Sequence, residues 1–364
     1  MEAIQGLELS RRFYAEVVSP WLGREFPDLR HAAALIGAGS ELLGFDDELS
    51  RDHDFCARAQ LFVDDDMFQA RGASVVSRFA EIAPTSFLGA PTTAGRKRPD
   101  EALGDQRHGL ELWTPRGALR HWLAVDADAP PDAIGWLALS EQRLLSITAG
   151  AVFRDDDGAL TQWRERFAYF PRDVWLYKLA CQWRRIAEEQ AFVGRAGLVG
   201  DELGSRVIAA RLVRDVMRMA FLISRQYAPY SKWFGSAFSR LPCAAGLAPV
   251  LDRALEAPDW RARDAALAES YLALANLHRA NGLPGSFQPQ IGPYFARPFS
   301  TINADEIAAA IRAEIVDAQV RDLPIIGSLD QVTDSTPLIE APAGAQAAMR
   351  ALFDHVEAVA LEEA

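Results

Sequence analysis

The feature that most restricts this 364-residue chain is a spacing: Gly39-Ser40, eleven residues, then Asp52-x-Asp54 heading the apolar run Phe55-Cys-Ala-Arg-Ala-Gln-Leu-Phe-Val63. A strand read over 52–63 puts the carboxylates of Asp52 and Asp54 on one face, because successive side chains alternate across the pleat. Two carboxylates so placed can hold divalent metals ~3.5–4 Å apart, which neutralises both the attacking and the leaving oxygen of an in-line phosphoryl displacement. Oxygen ligands of this kind favour Mg2+, and two ions are expected. Upstream, His31-Ala-Ala-Ala-Leu-Ile36 reads as a short strand that ends in the turn Gly37-Ala-Gly39-Ser40. Gly37, Gly39 and Ser40 then offer backbone N–H groups and a hydroxyl to phosphate oxygens ahead of a short helix from Glu41. The competing reading of Ser40 is a helix N-cap.

A third carboxylate completes such a site. Glu111 stands between Leu110 and Leu112 in the run Gly109-Leu-Glu-Leu-Trp113, read as a third strand, where it can ligate a metal and accept a proton. Asp155 and Asp157 compete for that role, although Asp155 to Asp157 also reads as a turn before Gly158. Farther on, Arg225, Tyr227, Tyr230 and Lys232 cluster where a helix ends at a Pro229 turn. They are candidates for the triphosphate or an acceptor, against a plainer reading as a cationic helix C-terminus packed with tyrosines. Arg184 and Arg185 read as a solvated helix face, His53 as a hydrogen-bonded structural histidine and Arg297 as a structural anchor.

The length favours two domains. Residues 3–19 carry Leu9, Phe13 and Val17 at helical spacing with Pro20 as a stop, and Asp64 to Asp66 open a helix through Ile82. Residues 88–107 read as an exposed loop, 115–123 as a helix and Gly150 to Gly158 as a last strand. From about 160 the pattern is helical, with Leu176, Leu179, Trp183 and Ile186 along one face and a second helix over 202–226. Residues 282–302 read as a connection, and Asn303-Ala-Asp-Glu306 as a capping box. The expected fold class is therefore α+β: an α/β head with a mixed sheet over 1–160 and a helical C-terminal domain over 161–364.

Composition excludes several classes. A net charge of −12 gives a polyanion no favourable field, which weighs against nucleic acid as a partner. Cys56, Cys181 and Cys243 lie far apart without metal-ligand spacing, so no zinc ribbon or disulfide framework is expected. The N-terminus does not read as a signal peptide, and no stretch approaches the ~20 apolar residues of a membrane helix. A reduced cytoplasmic setting without membrane contact is the expectation.

The Gly-Ser turn, the acid-x-acid strand and the later acid resemble the nucleotidyltransferase superfamily that includes kanamycin nucleotidyltransferase and DNA polymerase beta. The run GAGSELLGFDDELSRDHDF is also similar to an uncharacterised bacterial family, domain of unknown function 4037. That second likeness extends through GDELGS (200–205), RQYAPYSKW (225–233), RPF (297–299) and GSLDQVTDST (327–336). One departure is His53, polar where the superfamily usually has an apolar residue between the acids. The resemblance implies transfer of a nucleotide, AMP in particular, from ATP or another NTP to an acceptor hydroxyl with pyrophosphate leaving. It makes Asp52, Asp54 and Glu111 metal ligands and catalytic residues and sets Gly37, Gly39 and Ser40 at the NTP; Arg225, Tyr230 and Lys232 are expected to join them on the strength of their own clustering. A small molecule, suited by the acidic balance if cationic, is the leading acceptor. A protein acceptor is the alternative, as is a non-catalytic nucleotide-binding or toxin–antitoxin component.

Overall fold

The computed structural model describes residues 4–47, 55–93 and 108–362. Asp52, His53 and Asp54, and most of the loop read over 88–107, lie outside the described residues. The chain divides into two compact units, one of residues 1–131 and 143–168, the other of residues 132–142 and 169–364. The fold is α+β, with a mixed sheet in the first unit and helices dominating the second.

Among the described residues of the first unit, four strands form the main sheet: β1 (Ala32–Leu35), β2 (Ala59–Phe62), β3 (Leu110–Trp113) and β4 (Ala151–Asp155), in the order β3-β2-β1-β4. β1 pairs antiparallel with β2 and β4, whereas β2 and β3 are parallel with Gln60 opposite Glu111. Period-two alternation divides the sheet into two chemically different faces. Ala59, Leu61, Leu110 and Leu112 pack into one apolar core with Leu9, Phe13, Val75 and Phe79 of the helices laid over it. Gln60, Glu111 and Trp113 alternate with them onto the other face, where Trp113 meets Trp122 with ring centroids 4.8 Å apart. β2 begins at Ala59, later than the strand expected from residue 52. The Ala57 N–H bonds Pro91 O in a side loop, and only from Ala59 do the amides follow β3.

The first helix does not stop at Pro20. α1 (Gly6–Phe13) runs through a π turn, Tyr14–Val18, into a further segment, Ser19–Glu25, where Pro20 occupies the first turn. The π turn sends the Ser19 N–H to Tyr14 O, and this wider step lets a proline, which lacks an N–H, enter without breaking the run. α2 (Asp65–Ile82) is capped by Asp64 and α3 (Pro115–Leu123) by Thr114, through bonds to Met67 N and Gly117 N. Asp155 Oδ2 closes β4 by accepting both the amide and the hydroxyl of Thr161.

In the second unit, α4 (Arg172–Glu189) is the central helix. Its Leu176, Leu179, Trp183 and Ile186 are fully buried, each contributing ~1.5–3 kcal/mol by leaving water. Against it pack α5 (Glu202–Ser224) and α7 (Ala304–Arg312), and α6 (Trp260–Ala280) packs on α5. The connection over 282–302 holds a short ribbon of Ile291–Pro293 with Ser300–Ile302. The capping box expected at Asn303 is not formed: the Asn303 amide donates to Glu306 Oε2, and its oxygen accepts from Gln290 N. The box forms instead at Ser328 with Gln331.

Candidate active site

β1 delivers its end into the glycine turn. Gly37 and Gly39 take φ of 104° and 145°, conformations that a side chain makes costly. A Cβ would stand 3.1 Å from the Trp122 ring at Gly37 and 2.3 Å from a Glu41 carboxylate oxygen at Gly39. Ser40 opens a 3-10 turn, Ser40–Leu43, as its first residue, and the N-cap position is held by Gly39, not by Ser40. The Gly37 N–H is engaged by Ser146 O at 2.7 Å, so this glycine shapes the turn rather than offering a donor. The Gly39 N–H and the Ser40 hydroxyl make no hydrogen bond among the described residues.

An ion pair that local spacing did not single out braces this turn. Arg58 donates to Glu41 Oε1 at 2.5 Å and to Ala38 O at 2.8 Å, with little of either side chain exposed. Burial alone would depress the Arg58 guanidinium, but Glu41, with Cys56 and Glu111 adding to its field, holds it above its ordinary range. Removing one member would leave a largely buried charge without compensation.

Glu111 is tied to the turn through Gln60. The Gln60 side chain accepts from Ile36 N at 2.8 Å and donates to Glu111 Oε2 at 3.2 Å, and Trp113 Nε1 donates to the same oxygen at 3.0 Å. Glu111 Oε1 has no partner among the described residues. A carboxylate with one oxygen anchored by two N–H groups and the other open is oriented as metal ligands commonly are. Among the described residues no three acids, histidines or cysteines converge as a metal site; Asp52 and Asp54 lie outside the described residues. Of the competing acids, Asp155 caps the helix after β4 and Asp157 pairs with Arg30.

The other expected nucleotide contacts belong to the second unit. Arg225 ends α5 in the left-handed region, φ 51°, with its guanidinium 4.8 Å from the Trp175 ring and 5.2 Å from that of Tyr169. Tyr227 is buried and stacked on Tyr169, and burial pushes its hydroxyl pKa far up. The Tyr230 amide donates to Gln142, and Lys232 lies over the Trp233 ring. Behind them is a polar core of residues that sequence reasoning passed over. Lys178, fully buried, reaches Glu141 Oε1 at 2.9 Å, Ser328 Oγ at 2.8 Å and the Phe170 ring face at 4.3 Å. Asp330 lies 3.9 Å from the same ammonium and accepts the Glu141 N–H; burial, with Glu141 adding to it, raises its pKa. The signal available beforehand was the motif GSLDQ itself, which supplies Ser328, Asp330 and Gln331. All three cysteines are free, and burial pushes the Cys181 thiol up to about 12, so it is no nucleophile.

No helix of the described residues is long and apolar enough to cross a membrane. No curated protein matches the chain. Among solved structures the chain is similar to a nucleotidyltransferase-like protein from Exiguobacterium sibiricum, at 9% identity and a TM-score of 0.33, over 77% of this chain and 82% of that one. The model of the family described as Domain of unknown function (DUF4037), which the sequence resembles, matches residues 136–234, a stretch that holds α4 and α5 and does not include the glycine turn.

Proposed function

We propose that this chain is a magnesium-dependent nucleotidyltransferase that moves a nucleoside monophosphate, AMP in particular, from an NTP to a hydroxyl of a small molecule. The acceptor oxygen bonds the α-phosphorus, the bond to the β-phosphate bridge breaks, the hydroxyl proton passes to a base and pyrophosphate leaves. The observation that carries the reading is the chain Ile36–Gln60–Glu111, which ties a half-open carboxylate on β3 to the foot of a turn built on two positive-φ glycines. In this reading the Gly39 N–H and the Ser40 hydroxyl bind phosphate oxygens, the Glu41–Arg58 pair keeps the turn in shape, and Glu111 takes the proton or a metal. Asp52 and Asp54, with Glu111, would hold magnesium, which supplies neutralisation of the charge on the phosphoryl oxygens. Arg225, Tyr230 and Lys232 are proposed as nucleotide contacts of the helical unit.

The test is release of pyrophosphate from NTP and magnesium over a panel of hydroxylated metabolites and aminoglycosides. Asp52→Asn should lower turnover by about a hundredfold or more while the melting curve stays unchanged, because charge at the phosphoryl group is lost and volume is not. If no member of the panel yields pyrophosphate and nucleotide binding ignores Asp54→Ala, the catalytic reading is wrong. Mass gained by a protein incubated with ATP would move the acceptor to a side chain.

A further inference from the structure

α5 carries Arg211, Arg214 and Arg218 at i, i+3 and i+7, and all three border one cavity of ≈ 290 Å³ together with Arg185 of α4. Like charges three and four residues apart weaken a helix, so this arrangement opposes folding unless something neutralises it. The acids on the cavity wall do so only in part. Asp215 accepts from Gln182 Nε2 and lies 3.4 Å from Arg185 Nε, Asp330 belongs to the Lys178 cluster, and Asp334 pairs with Arg214. Arg211 pairs outward with Glu189 at 3.0 Å, and Arg185 donates to Gln331 O at 2.8 Å. Arg218 has no hydrogen bond or ion pair among the described residues; its guanidinium carbon lies 5.6 Å from the Phe234 ring centroid, and the residue is half-buried.

We propose that this cavity is a binding site for a phosphate group carried by a small molecule. Four guanidinium groups supply many more N–H donors than the contacts named above engage, and their planar forks match phosphate oxygens two at a time. Arg218 is the anchor: it lies over the Phe234 ring and spends none of its N–H groups on a hydrogen bond or ion pair among the described residues. The volume lies at the lower end for ligand pockets, which fits a phosphate, a pyrophosphate or a sugar phosphate rather than a polyanion. The site lies wholly within the helical unit and does not depend on the proposed transfer reaction.

The experiment is titration calorimetry on the full chain in phosphate-free buffer with EDTA, which removes metal-dependent binding of a triphosphate elsewhere. The probes are inorganic phosphate, pyrophosphate, ribose 5-phosphate and ATP. At least one should bind, weaken as salt rises, and weaken about tenfold or more in Arg218→Gln and in Arg214→Gln. Asp54→Asn should leave that binding unchanged, as should Arg195→Gln, an equal charge change at an exposed position outside the cavity. Binding of ATP alone would assign the phosphate to a nucleotide; binding of ribose 5-phosphate or pyrophosphate would assign it to a separate ligand. Arg218→Lys, which keeps the charge and loses the fork, should bind less well than the parent and better than Arg218→Gln. Failure of every probe, or binding that Arg218→Gln and Arg214→Gln leave intact in proteins with parental melting curves, overturns the proposal.

Discussion

Gly39 carries the constraint that shapes the turn after β1. Its φ of 145° is one that side chains rarely adopt, and the Glu41 carboxylate folds back over the space a Cβ would fill. Gly39→Ala therefore forces either the backbone or Glu41 to move, and if Glu41 moves, the largely buried Arg58 loses its partner. The expected loss is about 1–3 kcal/mol of stability, measured by chemical denaturation. An alanine variant as stable as the parent would show that the turn is not held as described. Gly37 differs, because its N–H is already bonded to Ser146 O; its replacement acts on shape alone.

At the scale of elements, polar side chains rather than apolar periodicity fasten the long connections of the helical unit. α4 is tied to the segment after α7 by Lys178 to Ser328, by the Gln331 amide to Lys178 O and Gln182 Oε1, and by Tyr177 OH to Pro324 O. These bonds explain why the capping box forms at Ser328 and not at Asn303, whose side chain serves a neighbouring loop. Replacing Lys178 with methionine keeps the volume but leaves Glu141 and Asp330 facing each other without their cation. A penalty of about 3–5 kcal/mol is expected for Lys178→Met, read from the denaturation midpoint. A change below about 1 kcal/mol would show that these acids are neutral or otherwise compensated in the folded unit. The π turn in the first helix shows a related economy of local structure: a proline sits inside a continuous helical run because the backbone widens just before it.

Across the whole molecule, the two units should answer acid differently. His31 in the sheet unit is buried, with Nδ1 against Leu29 O and Nε2 against the Tyr14 hydroxyl. Nδ1 must therefore donate; Nε2 accepts from the hydroxyl in the neutral ring or donates to it in the charged one, and burial, which pulls the pKa below the ordinary 6.5, favours the neutral form. The unfolded chain then binds a proton at 6.5 while the folded one does not, so stability present above 6.5 is lost as pH falls toward the lower folded value. In the helical unit His278 behaves alike, but Glu189, Asp264 and Asp330, raised by burial, bind protons more tightly when folded and act in the opposite direction. No such raised acid is found among the described residues of the sheet unit. Amides of β1 should show a smaller opening free energy at pH 5.5 than at 7.5 by hydrogen exchange, and His31→Gln should flatten that difference. Equal protection at both pH values in the parent would mean that His31 is not held neutral.

The glycine turn, the apolar-acid-apolar rhythm around Glu111 and the buried stripe Leu176, Leu179, Trp183 and Ile186 were determined by the sequence alone. Each is a consequence of backbone geometry or of a repeat of two or 3.6 residues, and so is written in a few neighbouring positions. The start of β2 at Ala59 was not legible, because it depends on which distant strand accepts its amides. Nor was the place of Arg185, read as solvated, which lies half-buried between Asp215 and Gln331. The pairs Glu41–Arg58, Gln60–Glu111 and Lys178–Ser328 join residues 17, 51 and 150 positions apart. Local spacing encodes no such distances. Only tertiary structure decides them, because a polar group withdrawn from water must find its partner wherever the folded chain supplies one.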